Sequence, residues 1–217
     1  MSTTTASVRP LRPAHPGRRG SLRTLWAALR AMLVATAVLG VGYPLLITAV
    51  GQSAFPGQAN GSLVTDAQGA AVGSALLGQS FSEAHGAPLP QYFQPRPSAA
   101  GKGYDGAASG GSNLGPNNST LVTRIDKTRA ALAAFNGVDP SQLPPDALTS
   151  SASGLDPDIS VAYALLQVDR VARARNLPPT SVRDLVEANV IPRDLGFLGE
   201  PRVNVLKLNL ALDAVTR

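Results

Sequence analysis

The distribution of apolar and polar residues divides the chain into one continuous apolar segment and a longer segment of mixed periodicity. Residues 31–50 contain no Asp, Glu, Lys, Arg, His, Asn or Gln. At a rise of ~1.5 Å per residue, a helix of about 20 residues spans ~30 Å, the thickness of the hydrocarbon core of a bilayer. This pattern predicts one transmembrane helix at 26–50.

The arginines predict the orientation of this helix. The first 30 residues carry six arginines and no acidic residue, whereas residues 51–95 contain neither Lys nor Arg. Positively charged flanks stay on the cytoplasmic side. We therefore expect a basic cytoplasmic tail at 1–25, a single-pass anchor in the cell inner (plasma) membrane, and an extracytoplasmic domain at 51–217. A cleavable signal peptide has a similar layout, but its apolar stretch usually runs ~7–15 residues, which favours a retained anchor.

The first part of the expected domain is rich in glycine and proline but is interrupted by aromatic residues. Short apolar runs at 62–64 and 71–77 favour strands. Asn60-Gly61 favours a turn because both residues tolerate positive φ. We interpret this part as an ordered, loop-rich sheet portion.

Helical periodicity begins near Leu121. A capping residue at Asn118 or Ser119 and a terminating Gly137 bound the first helix. Its expected buried stripe comprises Leu121, Ile125, Thr128, Leu132 and Phe135.

Further along the chain, Pro157 opens a second predicted helix that runs to about Asn176. A third predicted helix runs from Ser181 to Asn189, and alternation at 203–210 favours a strand. The second helix has a predicted buried stripe of Val161, Leu165, Val168 and Ala172. The fold class is therefore α+β: one N-terminal transmembrane helix followed by a mixed α/β extracytoplasmic domain.

Charge and residue inventory exclude several functions. The net charge of +5 resides in the N-terminal tail, since residues 51–217 hold 13 Lys+Arg against 14 Asp+Glu, so we expect lipid contact and no nucleic acid. The chain has no cysteine, and its two histidines lie in the tail and in a Gly/Pro-rich loop. Neither a nucleophile elbow nor a Walker A motif occurs. We expect no catalytic residue, no metal and no bound cofactor.

Two groups of residues are candidates for binding. The segment Ser109, Gly110, Gly111, Ser112 and Asn113 could form an anion-binding nest or a plain tight turn. Tyr163, Gln167 and Arg170 have helical spacing and are expected to share the face opposite the buried stripe of the second helix. That face is either a protein interface or a solvated helix back.

Motifs in a fixed order resemble one known family. The order is Gly42-Tyr43-Pro44-Leu45, Gln58-Ala59-Asn60-Gly61-Ser62-Leu63, Gly73-Ser74-Ala75-Leu76-Leu77-Gly78-Gln79, Tyr92-Phe93, Arg96-Pro97-Ser98-Ala99, Ala108-Ser109-Gly110-Gly111-Ser112-Asn113-Leu114, Ala152-Ser153-Gly154-Leu155-Asp156-Pro157, Arg170-Val171-Ala172-Arg173-Ala174-Arg175, Pro201-Arg202-Val203-Asn204-Val205 and Leu208-Asn209-Leu210-Ala211-Leu212. The chain is therefore similar to the C subunit of the Kdp-type potassium-transporting P-type ATPase.

The resemblance implies a non-catalytic accessory subunit of a high-affinity potassium uptake pump. Its partners would be a channel-like potassium-binding subunit and an ATP-hydrolysing P-type subunit, so ATP and potassium would be used by the complex. The family's C subunit is described as a catalytic chaperone that raises ATP affinity. Tyr92, Arg96, the segment 109–113 and the face of Tyr163, Gln167 and Arg170 are our candidates for partner contacts. The alternatives are direct nucleotide binding at 109–113 and an anchored exported hydrolase.

Overall fold

A computed structural model describes residues 18–215 of the chain, with side chains from residue 22 onward. The first part of the basic tail, residues 1–17, lies outside the described residues. The chain divides into two compact units, with the boundary between Ala59 and Asn60. Each unit is described separately below.

The first unit is one long apolar helix. Its parts are α1 (Arg18–Ala35), a π-helical segment (Thr36–Gly42), α2 (Tyr43–Ala54) and the short α3 (Pro56–Ala59). Leu22–Ala54 is long and apolar enough to cross a membrane by length and composition. This confirms the N-terminal apolar helix and extends it beyond the predicted 26–50.

The π-helical segment has a cause in the sequence. Pro44 lacks an amide hydrogen, and its ring crowds the carbonyl four residues earlier, so the normal α-helical ladder is interrupted there. The Tyr43 N–H accordingly donates to the Val38 carbonyl, five residues back. Pro44 then lies in the first turn of α2, a position where the absence of an N–H costs no hydrogen bond of that helix.

The second unit combines two small sheets with six helices. A hairpin of β1 (Leu63–Thr65) and β2 (Ala71–Ser74) comes first, and β3 (Asp158–Ser160), β4 (Val190–Ile191) and β5 (Arg202–Asn204) form an antiparallel sheet in the order β3-β5-β4. The six helices are α4 (Ser119–Asn136), α5 (Pro145–Leu148), α6 (Val161–Leu166), α7 (Val168–Arg175), α8 (Pro179–Ala188) and α9 (Val205–Val215). A 3-10 turn, Pro140–Gln142, connects α4 to α5. The mixed helix-and-sheet class is confirmed.

The core lies where the three-stranded sheet meets the last helices. Val203 at the centre of β5 is opposite Ile159 on one side and Val190 on the other, so the apolar residues of the three strands share one face. The largest apolar side chains buried with Val203 are Phe93, Ile159, Tyr163, Val168, Val171, Val182, Val186, Val205, Leu208 and Leu212. Removing these apolar surfaces from water contributes most of the stabilisation of the fold.

Helix α4 forms as predicted because its signals are local. The Asn118 side chain accepts a hydrogen bond from the Thr120 N–H, and Gly137 ends the helix in the left-handed conformation with φ of 69°. All five residues of the expected stripe are at least partly buried. Asn60-Gly61 also forms the predicted turn.

We expect replacement of the Asn118 cap to weaken α4 measurably. Asn118→Ala removes the acceptor for the Thr120 N–H, which costs about 1 kcal/mol for a typical cap. For a chain of this size, that loss lowers the melting temperature by about 2–4 °C. The measurement is thermal unfolding of the full chain in detergent, and the exposed neighbour Asn117→Ala is the control. Equal melting temperatures for both variants would contradict the assigned cap.

Three sequence predictions were wrong in part. The second helix does not begin at Pro157, because residues 158–160 pair with β5 as strand β3, and it is divided into α6 and α7 at Gln167. The predicted third helix begins two residues earlier, at Pro179. The predicted strand at 203–210 ends at Asn204, after which the chain turns into α9.

Candidate functional site

An irregular segment lies across helices α7 and α9. We call residues 90–98 the strap. Three prolines at positions 90, 95 and 97 remove backbone donors and restrict φ, so the strap cannot join a helix or a central strand. Phe93 is fully buried and Gln94 is 7% exposed, so the middle of the strap lies inside the domain. Its backbone polar groups therefore need partners from elsewhere.

Two amide side chains satisfy the backbone at the middle of the strap. Gln167 accepts from the Gln94 N–H at 2.7 Å and donates to the Gln94 carbonyl at 3.0 Å. Asn209 does the same for Phe93, at 2.9 Å to its N–H and 3.0 Å to its carbonyl. Each amide thus replaces the neighbouring strand that a sheet would provide. Both side chains are buried, so these bonds are shielded from water.

Arg170 connects the strap to both α4 and Gln167. Its guanidinium donates to the carbonyls of Pro90 and Tyr92, the latter at 3.0 Å, and to Gln167 Oε1 at 2.6 Å. Its Nε donates to Asn136 Oδ1 at 2.9 Å. The guanidinium carbon also lies 4.4 Å from the centre of the Phe135 ring. A planar fork with five donors suits this position, since one ammonium group could not reach all these acceptors.

The guanidinium of Arg170 stays charged although it is 5% exposed. Burial lowers the pKa of Arg170 to about 10, still well above neutrality. Burial also raises the pKa of the Tyr163 hydroxyl to about 12. Tyr163 therefore remains neutral, and neither group is suited to proton transfer near pH 7.

A second arginine fixes the beginning of the strap near the end of α9. Arg175 donates to the Gln91 carbonyl at 2.9 Å and pairs with Asp213 at 2.6 Å. Its guanidinium carbon lies 4.7 Å from the centre of the Tyr92 ring, and the Tyr92 hydroxyl donates to Asp213 at 3.3 Å. The Tyr92 ring also contacts Phe81, with centroids 5.5 Å apart. Tyr92 is consequently half-buried and held on three sides.

The end of the strap is fixed by Arg96. Its NH1 pairs with Asp156 at 2.9 Å, and the Nε and NH2 donate to the Thr149 carbonyl at 3.4 and 3.3 Å. The Tyr104 hydroxyl donates to the Arg96 carbonyl. The pKa of the Tyr104 hydroxyl is raised, chiefly because the group is buried. Arg96 thus joins the strap to the loop that precedes β3.

The glycine-rich segment 109–113 lies against the same loop. The Gly110 N–H donates to the Ser153 carbonyl at 2.8 Å, and the Ser109 hydroxyl donates to that carbonyl at 3.0 Å. A Cβ at Gly111 would lie 2.9 Å from the Ala152 carbonyl oxygen. The glycines therefore permit close backbone contact within the chain. The segment 109–113 has no helix, strand or turn, so the tight turn considered from the sequence does not form, although Asn113 has a left-handed φ of 52°.

The prediction that the second helix has an outward-facing side opposite its buried stripe was wrong. Tyr163, Gln167 and Arg170 are 1%, 0% and 5% exposed. The strap covers the side of α6 and α7 that was predicted to face outward. Gln167 and Arg170 hold the strap through hydrogen bonds, whereas Tyr163 belongs to the apolar core. Tyr92 and Arg96 belong to the same network, whereas 109–113 contacts the neighbouring loop.

Sequence reasoning missed the other members of this network. Asn209 interrupts an apolar run and Asn136 ends α4, so a buried polar residue among apolar neighbours was the available signal. Gln94, Arg175 and Asp213 carried no such signal. In the part of the chain that the structure describes, every buried side-chain nitrogen and oxygen has a partner. The buried polar groups of this network are therefore engaged within the chain.

The described residues offer no group of three or more His, Cys, Asp or Glu that could hold a metal ion. Among the charged side chains at the strap, Arg96 pairs with Asp156 and Arg175 pairs with Asp213. Arg170 instead donates to uncharged carbonyl and amide oxygens.

Comparisons with known proteins agree over nearly the whole chain. Residues 25–214 match the family model described as KdpC, the K+-transporting ATPase c chain. A potassium-transporting ATPase KdpC subunit of Caulobacter vibrioides is 55% identical over 194 residues, covering 89% of this chain and 94% of the relative. Subunits of the same name from Gemmatimonas aurantiaca and Kineococcus radiotolerans are 54% and 52% identical, covering 87% and 88% of this chain and 93% of each relative.

Proposed function

This chain belongs to the KdpC family of K+-transporting ATPase subunits, and we propose that it is a non-catalytic subunit that stabilises the assembled pump through the region around its strap. The family places it as a membrane-associated part of a potassium-transporting complex. The partners we infer are the channel-like potassium-binding subunit and the ATP-hydrolysing subunit. Potassium and ATP are then handled by those partners, and this chain supplies a binding surface.

The observation that carries this proposal is the way the strap is held. Four buried side chains, Gln167, Arg170, Asn209 and Gln94, donate to or accept from backbone groups of the strap and its neighbours. Arg170 also bonds the side chains of Asn136 and Gln167. A segment held so rigidly loses little conformational entropy when a partner binds to its outer side. Tyr92 and Arg96, both half-buried, and the segment 109–113 are among the parts of this region that reach the surface.

The charges of the chain support a membrane orientation. The arginines before the span favour a cytoplasmic N-terminus, which makes the unit from Asn60 onward extracytoplasmic. We propose that this unit meets the channel-like subunit on that side. A reporter enzyme fused after Arg217 tests the orientation, and activity confined to the cytosol would contradict it.

An effect on ATP affinity would then be indirect. We propose that the subunit raises the ATP affinity of the complex by favouring one assembled conformation, since a coupling free energy does not require contact with the nucleotide. Removing the subunit should raise the ATP concentration for half-maximal hydrolysis.

The direct alternative, nucleotide binding at 109–113, predicts that the isolated chain binds nucleotide. We expect no nucleotide affinity there beyond the millimolar range, because the Gly110 N–H already donates to Ser153.

The surface role can be tested with two exposed serines. Ser109→Arg adds a large cation to the proposed contact region, whereas Ser181→Arg adds the same side chain to the exposed side of α8. We expect Ser109→Arg to reduce severalfold the amount of partner subunits that co-purifies with the tagged chain, and Ser181→Arg to leave it unchanged.

Both serine variants should melt at nearly the same temperature, since neither position is buried and the one hydrogen bond that Ser109→Arg removes, to the Ser153 carbonyl, is exposed to solvent. A loss of co-purification without a loss of stability identifies a contact surface. Equal recovery of partners by both variants would refute the assignment of 109–113, and would leave family membership unaffected.

A further inference from the structure

A small hairpin between β4 and β5 exposes three apolar side chains at its tip. Asp194 and Leu198 exchange two backbone hydrogen bonds of 2.9 Å, which close the turn. Leu195 is 83% exposed, Phe197 69% and Leu198 49%. We call residues 194–198 the apolar tip. None of its three apolar side chains belongs to the core clusters of the described chain.

The backbone of the apolar tip has an uncommon conformation. Leu195 has φ of 53°, a left-handed conformation that leucine rarely adopts, and Gly196 follows with φ of 83°. Arg193 pairs with Glu200 at 2.6 Å, and Arg202 lies 3.7 Å from Asp194. These ion pairs brace the base of the hairpin. The chain thus adopts an unfavourable backbone angle while directing apolar side chains away from its own core.

We propose that the apolar tip inserts into the lipid leaflet facing this unit. The span ends with α2 at Ala54 and the second unit begins at Asn60, so the chain keeps this unit tethered to a bilayer. Leucine and phenylalanine side chains enter the boundary between headgroups and acyl chains favourably, and Arg193 and Arg202 are polar residues that flank the apolar tip in the sequence.

The size of the apolar tip favours lipid over a protein partner. A stable protein interface buries about 800 Å² on each partner, drawn from some 20–30 residues. Three adjacent side chains on a projecting turn provide far less surface, and the neighbouring residues Arg193 and Glu200 are charged and paired with each other. A fluid leaflet can surround a narrow projection without a complementary pocket.

The absence of cysteine from the sequence makes a direct test available. Phe197→Cys, labelled with an environment-sensitive fluorophore, is reconstituted as the full chain into phosphatidylcholine vesicles with or without nitroxide-bearing lipid. We expect the nitroxide lipid to remove most of the emission. The control is Ala131→Cys on the exposed side of α4, which should keep its emission. Equal behaviour of the two positions overturns the proposal.

The same label distinguishes lipid from a partner subunit. Adding Leu195→Ser and Leu198→Ser to the labelled chain should reduce the quenching severalfold, since insertion then loses its apolar surface. Quenching should persist in the complex assembled with its partner subunits. A label that becomes shielded from lipid in that complex would identify a partner as the occupant and would refute lipid insertion. The measurement on the chain alone is independent of the proposed assembly role.

Discussion

Replacing Gly154 by alanine is expected to lower the free energy of unfolding by about 3–5 kcal/mol, because a left-handed residue and an overpacked site each cost roughly 1–3 kcal/mol. Gly154 has φ of 67°, and a Cβ there would lie 2.5 Å from the Ala100 nitrogen and 2.8 Å from the Gly110 carbonyl oxygen. Both neighbours are backbone atoms, so no rotamer change can relieve the overlap.

The matched control for this variant is Gly110→Ala, on the segment that lies beside Gly154. A Cβ at Gly110 meets nothing within 4 Å, and its φ is not positive. We expect this variant to change the melting temperature little. Thermal unfolding of the full chain in detergent compares the two. If both alanine variants melted alike, the close backbone approach of the two segments would be wrong.

Arg170→Met is expected to cost about 2–4 kcal/mol, because several buried acceptors each lose a bond and an unsatisfied buried group costs ~1–3 kcal/mol. Methionine removes the desolvation cost of the guanidinium, which offsets part of the loss. It nevertheless leaves the carbonyls of Pro90 and Tyr92 and the Asn136 side chain without their donor. The strap should loosen, and co-purification with partner subunits should weaken in parallel.

Two further variants identify the reason for this loss. Arg173→Met changes an exposed arginine on the same helix and should leave stability within about 0.5 kcal/mol of the original. Arg170→Lys keeps the charge but cannot provide the planar fork, so most of the loss should remain. Full rescue by lysine, measured by urea unfolding, would show that charge rather than hydrogen-bond geometry stabilises the strap.

The sequence predicted those parts of the fold whose signals lie within one element. The Asn118 cap, the Gly137 terminator and the long apolar helix depend on neighbours a few residues apart, and all three are present. The alternation at 203–210 failed because α9 is buried on more than one side. Its apolar positions at 205, 206, 208 and 212 fit a buried helix as well as a strand.

The candidate site was harder to predict because its contacts join distant parts of the sequence. Gln167 binds Gln94 across 73 residues, and Asn209 binds Phe93 across 116. Helical spacing placed Tyr163, Gln167 and Arg170 together correctly, but it could not show that the strap covers them. Two sides of α7 are consequently buried, one by apolar residues and one by the polar network.

The contacts of Asn209 also constrain the timing of biogenesis. Phe93 leaves the ribosome more than a hundred residues before the side chain that secures it, and Asp213, the partner of Arg175, comes later still. Long sequence separations of this kind delay folding until late in synthesis. A nascent or truncated copy therefore lacks the finished strap, so only copies that include α9 would present the surface that we propose for partner binding.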